Sequence, residues 1–193
     1  MQTSNRSMLQ GPLLRNIILY TIPIILTSIL QLLFNAADLV IVGRFCGSIS
    51  VAAVGATGAI TNLIVNLFIG LSVGAGVTVA QSLGGREEEA VHRTVHTALP
   101  AALVSGIVLT VVGVIFSESF LRMMNTPEDV LPLSAVYMKI YFCGITFTMV
   151  YNFCASILRA AGDTKSPLIY LSIAGVINVV LNVIFVTMFH MNV

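Results

Sequence analysis

The chain has 193 residues, of which 57% are hydrophobic and 9% charged, with net charge +1 and mean hydropathy +0.99. Soluble domains carry roughly a quarter charged residues, so there is too little polar surface here to cover a water-exposed fold. The near-zero charge also excludes an electrostatic footprint for nucleic acid.

Charge is confined to short clusters between long uncharged runs, and such runs predict membrane-spanning helices. The polar start, Met1–Gly11, gives way at Pro12 to a first helix over about 12–43. Its apolar stretch Ile17–Val42 is too long for the apolar core of a signal peptide, and further apolar runs follow. Pro23 lies inside it, where a freed carbonyl and a local kink are expected. Asp38 is the one acid within such a stretch. Gln31 and Asn35 precede it by seven and three residues, on the same helix face at 100° per residue.

No residue from Phe45 to Gly85 is charged. A second helix is predicted at about 50–83. Gly70 and Gly74 form a small-xxx-small pair suited to close packing, and Asn62 and Asn66 share a face. Gly84-Gly85 ends this helix, and Arg86-Glu87-Glu88-Glu89 begins a third over about 87–117, acids complementing its dipole. A polar connection over Ser117–Pro132 follows. Thr126-Pro127-Glu128-Asp129 reads as the start of a fourth helix, 127–161. Gly162 terminates it. Ser166-Pro167 then reads as cap and first residue of a fifth helix, 166–190.

The fold class is therefore all-α, a polytopic bundle of five membrane helices with alternating direction. With the amino terminus inside, Arg6, Arg15, Arg86, Arg93, Arg159 and Lys165 flank the inner face, against Arg44, Arg122 and Lys139 outside. The positive-inside rule favours that orientation, a cytoplasmic amino terminus and an outward end at residue 193, in the plasma (inner) membrane.

Taken alone, the polar residues leave alternatives open. Asp38 lies only about 6 Å from Val42 along the helix, so it reads either as an interfacial acid or as a functional carboxylate. Membrane acids are rare and usually face protein or a water-filled path. Burial disfavours a charged carboxyl and a nearby cation favours it, and either property suits ion coupling. Asn178 and Asn182 share a face of the fifth helix, as interhelical hydrogen-bond partners or as ligands. Gln31, Asn35 and Asn152 are supporting or path-lining candidates, with packing as the alternative. Glu88, His92 and His96 share a helix face but lack a zinc order or a fourth ligand, so no metal site is expected. Three cysteines, Cys46, Cys143 and Cys154, match no metal framework and read as thiols packed as small apolar groups. No catalytic motif is present, and a membrane enzyme is the weakest reading.

Several strings together resemble the multidrug and toxic compound extrusion (MATE) family. They are Pro23, Gln31, Asn35, Asp38 and Val42-Gly43 in the first helix, Val51-Ala52-Ala53-Val54-Gly55 in the second, and Ile177-Asn178-Val179-Val180-Leu181-Asn182 in the fifth. The most specific is Leu158-Arg159-Ala160-Ala161-Gly162-Asp163-Thr164-Lys165-Ser166-Pro167. The resemblance implies a fragment of a twelve-helix, two-bundle transporter, with residues 1–193 as a partial amino-terminal bundle. It implies an H⁺- or Na⁺-coupled antiporter exporting amphipathic organic cations, without a cofactor. Its partners would be the lipid bilayer, those substrates and the missing second bundle. The cation- or proton-coupling site would be Asp38 with Asn178 and Asn182. The family often has Asp at the last position, so Asn182 leaves one carboxylate fewer. Arg159, Gly162, Asp163, Lys165 and Pro167 would form a cytoplasmic loop that ends one helix and starts the next, and that pairs charges to lock one conformation. A non-transporting membrane scaffold is the competing reading.

Overall fold

A computed structural model describes residues 12–188 and contains five helices. These are α1 (Leu13–Phe45), α2 (Ser48–Gly84), α3 (Glu88–Met123), α4 (Leu131–Ala160) and α5 (Lys165–Met188). Each is long and apolar enough to cross a membrane. Pro12 precedes α1 with extended backbone, and α1 stays helical through Pro23. His190, within the predicted fifth helix, lies outside the described residues.

The turns are tighter than the composition suggested. Only Cys46 and Gly47 separate α1 from α2, and Gly47 makes the reversal possible at φ 85°. The expected polar connection from Ser117 is helical as far as Met123. Ser117 is buried with its hydroxyl on the Val114 carbonyl, and Glu118 pairs with Arg122 at 2.9 Å one turn on. Pro127 does not begin α4. Its carbonyl accepts from Val130 and Leu131 N–H at 3.1 and 2.9 Å, making an isolated turn before the helix at Leu131.

Three of the helices close with the same device, one left-handed residue that lets a later N–H reach back five positions. At Gly162 (φ 88°), Asp163 N–H reaches the Leu158 carbonyl. At Asn125 (φ 54°), Thr126 N–H reaches Leu121. At the end of α2 the left-handed residue is Arg86 (φ 59°), not the preceding glycine pair: Gly85 remains right-handed at φ −76°.

Helices α2, α3 and α4 form a close trio, whereas α1 packs mainly on α5 and touches the trio lightly. Glycines set the spacing. A Cβ on Gly113 would lie 2.1 Å from Phe142 Cγ, and one on Gly106 would lie 2.7 Å from the Thr146 Cα, so α3 and α4 meet almost backbone to backbone. Thr110 seals that seam, donating to the Phe142 carbonyl at 2.9 Å and lying 3.0 Å from the Thr146 hydroxyl. The core around it is Leu121, Leu131, Met138, Phe142, Ile145 and Met149. On α2 the close approach is Gly76 against Ser156, while Gly70 and Gly74, the expected packing pair, face open space. In the other group, Gly175 of α5 receives the ring of Phe34 from α1.

Candidate functional site

The two groups leave a cavity of about 550 Å³ between them. Asp38 of α1 reaches into it. Asn182 Nδ2 donates to Asp38 Oδ1 at 2.6 Å. The amide orientation of Asn178 that satisfies both side chains puts its nitrogen 3.0 Å from Oδ1 and 3.2 Å from Oδ2. Two residues one turn apart on α5 thus direct N–H groups at one carboxylate on α1. Hydrogen bonds to a charged acceptor are worth roughly 1.5–3 kcal/mol each, about twice a neutral pair. The Gly175–Phe34 contact brings the two backbones close enough for these short side chains to meet.

The cavity has other walls that spacing did not reveal. Tyr137 and Tyr141 of α4 line it one turn apart, and Thr57, Thr61 and Asn62 line it from α2. The Thr57 and Thr61 hydroxyls donate to their own helix, at Val54 and Thr57 carbonyls. Their oxygens keep lone pairs that can accept from a ligand. Asn35 lines the cavity too.

Gln31 and Asn152 are not among the lining residues. Gln31 is two turns from Asp38, about 10 Å along α1, so it shares the face but not the depth. Asn152 lies eleven residues beyond Tyr141, about 16 Å along α4.

The remaining motif lies between α4 and α5, where its side chains make cap and backbone contacts. Asp163, not Ser166, caps α5. Its Oδ1 accepts from Lys165 and Ser166 N–H at 3.1 and 3.0 Å, and its Oδ2 from the Ser166 hydroxyl at 2.5 Å. A carboxylate suits the positive end of a helix, and it reaches two orphan donors at once. Tyr20 of α1 donates to the Arg159 carbonyl at 2.8 Å, and Tyr151 donates to the Pro167 carbonyl at 3.2 Å. The expected charge lock is not seen among the described residues. Among the described residues the ion pairs are Arg93–Glu89 and Arg122–Glu118, neither in this loop. Asp163 is already committed to the cap.

Those bonds, the Ser166 hydroxyl first, hold the Asp163 carboxyl below its usual range. A depressed folded value contributes stability that is present above the unfolded pKa, roughly 3.9, and is lost as pH falls through the folded value. Asp163→Ala is therefore expected to cost about 1 kcal/mol of stability near neutral pH. Thermal unfolding in detergent checks this: the gap from wild type should be constant down to about pH 5 and shrink below about pH 4.

His92 and His96 lie with ring centroids 4.5 Å apart. No three metal-ligating groups converge among the described residues.

Comparison with known proteins places this architecture. The MatE family model matches residues 23–184. The chain is 30% identical over 184 residues to the probable multidrug resistance protein YpnP of Bacillus subtilis (strain 168), covering 95% of this chain and 41% of that protein. It is 34% identical over 167 residues to the probable multidrug resistance protein YoeA of the same organism, covering 86% of this chain and 36% of that one. Among solved structures, a MATE crystallised in complex with MaD3S superposes with a TM-score of 0.90 at 26% identity, covering all of this chain and 43% of that one. The chain thus spans less than half the length of the relatives it matches.

Proposed function

We propose that this chain, which belongs to the MatE family, is the ion-coupling bundle of a proton-driven multidrug exporter. It is an integral membrane protein, and the positive-inside count supports a cytoplasmic amino terminus in the plasma membrane. The observation that carries the reading is Asp38 held by Asn178 and Asn182 across the α1–α5 junction. A charged carboxylate draws both amide N–H groups and ties α1 to α5. On taking a proton it loses most of that acceptor strength, and α1 is released to bend near Pro23. The same event changes the cavity wall, so a substrate there senses the protonation state. This is the differential affinity that coupling requires.

The proton is preferred over Na⁺ on ligand chemistry. One carboxylate supplies one negative charge, and Asn182 turns its amide nitrogen toward it. Sodium would need an oxygen there. Amphipathic organic cations fit the cavity, which pairs the carboxylate with the rings of Tyr137 and Tyr141. The second bundle supplies the other wall of the path, and alternating access follows from rocking the two bundles.

The test is efflux from vesicles holding the full-length transporter, with H⁺ and Na⁺ gradients imposed separately. The proton gradient alone is expected to drive export. Export driven by sodium alone would overturn the choice of ion, and export indifferent to both would overturn coupling itself.

A further inference from the structure

A second concavity, of about 410 Å³, shares no lining residue with the Asp38 cavity. Its floor is small and apolar, with Gly74 and Ala75 of α2 facing Ala98 and Ala101 of α3. A Cβ on Gly74 would meet nothing within 4 Å, so the helix partner that its smoothness suggests is not this bundle's own. Two threonines, Thr94 and Thr97, reach the wall, but their hydroxyls donate to the Ala90 and Arg93 carbonyls of their own helix. The one charged residue lining the groove is Arg93. Its side chain is 78% exposed, and its nearest acid, Glu89, stands 3.6 Å off, beyond hydrogen-bond range.

Position and charge together specify an occupant. Helix α3 begins at Glu88, so Arg93 lies about 8 Å and Ala101 about 20 Å from the start of the helix. The groove therefore runs about 12 Å, close to the depth of one leaflet of a hydrocarbon core of about 30 Å. A cation marks its polar end, with an acid one turn farther out. We propose that this groove holds one acyl chain of a phospholipid whose headgroup carries a primary amine. The phosphate sits on the Arg93 guanidinium and the ammonium on Glu89. A quaternary choline has no N–H to donate to Glu89, and a purely anionic headgroup meets that carboxylate as a like charge.

Native mass spectrometry tests this on the full-length transporter reconstituted with phosphatidylethanolamine, phosphatidylcholine or phosphatidylglycerol of identical acyl chains. Phosphatidylethanolamine should be retained about tenfold better than the other two. Arg93→Gln, at an exposed position that does not threaten folding, should erase the preference. Ala101→Trp, which fills the groove from an exposed position, should remove retention of the lipid while leaving the helical circular dichroism unchanged. Equal retention of the three lipids would overturn the proposal, as would an Ala101→Trp chain that holds lipid like wild type. A photoreactive residue at 101 that captures a second polypeptide instead of lipid would also overturn it.

Discussion

Asp38→Asn is expected to reduce proton-driven export to the level seen without a gradient, while leaving membrane insertion and protein amount unchanged. The substitution preserves side-chain shape and one acceptor oxygen. It removes the charge and the titratable proton, and it sets a third amide against Asn178 and Asn182. Coupling free energies in such systems are typically 1–3 kcal/mol, so the loss should be about 5- to 150-fold. An Asp38→Asn transporter that exports normally under a proton gradient would remove the carboxylate from the mechanism.

Gly175→Leu should be as damaging, by a different route. A Cβ at this position would lie 1.9 Å from Phe34 Cε2 and 2.3 Å from Cδ2. Overpacking of this kind costs typically 1–3 kcal/mol. Phe34 is one turn before Asp38, and Gly175 is one turn before Asn178. A wedge there parts α1 and α5 just beside hydrogen bonds of 2.6–3.2 Å, which tolerate little stretching. Export should fall toward background although the carboxylate and both amides are intact. Phe34→Ala in the same chain makes room for the leucine and should restore export in part. Efflux assays on the two variants, with expression matched, decide it. Unimpaired export by Gly175→Leu would mean that close α1–α5 contact is not needed.

How much of this was legible beforehand follows from helix physics. Long uncharged runs mark membrane helices directly, because the bilayer sets their length. A helix that is apolar all round carries no signal of which face points where. Tyr137, Tyr141, Thr57 and Thr61 therefore gave no sign that they converge from α4 and α2 on the same space. Asp38 stood out because a membrane acid is costly, but its grouping with Asn178 and Asn182 rested on the family resemblance. Rotational position alone groups Gln31 with Asp38, whose face it shares about 10 Å away along α1, outside the residues that line the cavity. At the turns, residue preferences were informative for Gly162 and for Gly84-Gly85, where α2 does end, although Arg86 and not a glycine takes the left-handed conformation. The Ser166-Pro167 pair looked like a cap, and Asp163 was the stronger one, since its two oxygens reach three donors.

The central claim is that Asp38 couples ions through its hydrogen bonds to α5. A double-mutant cycle on proton-driven export tests it most directly, with Asp38→Asn, Asn182→Ala and the pair measured in the same vesicles. Asn182→Ala alone should impair export. In the Asp38→Asn background it should cost nothing further, because without a titratable carboxyl the contact has no coupling left to carry. Two losses that simply multiply would contradict the account.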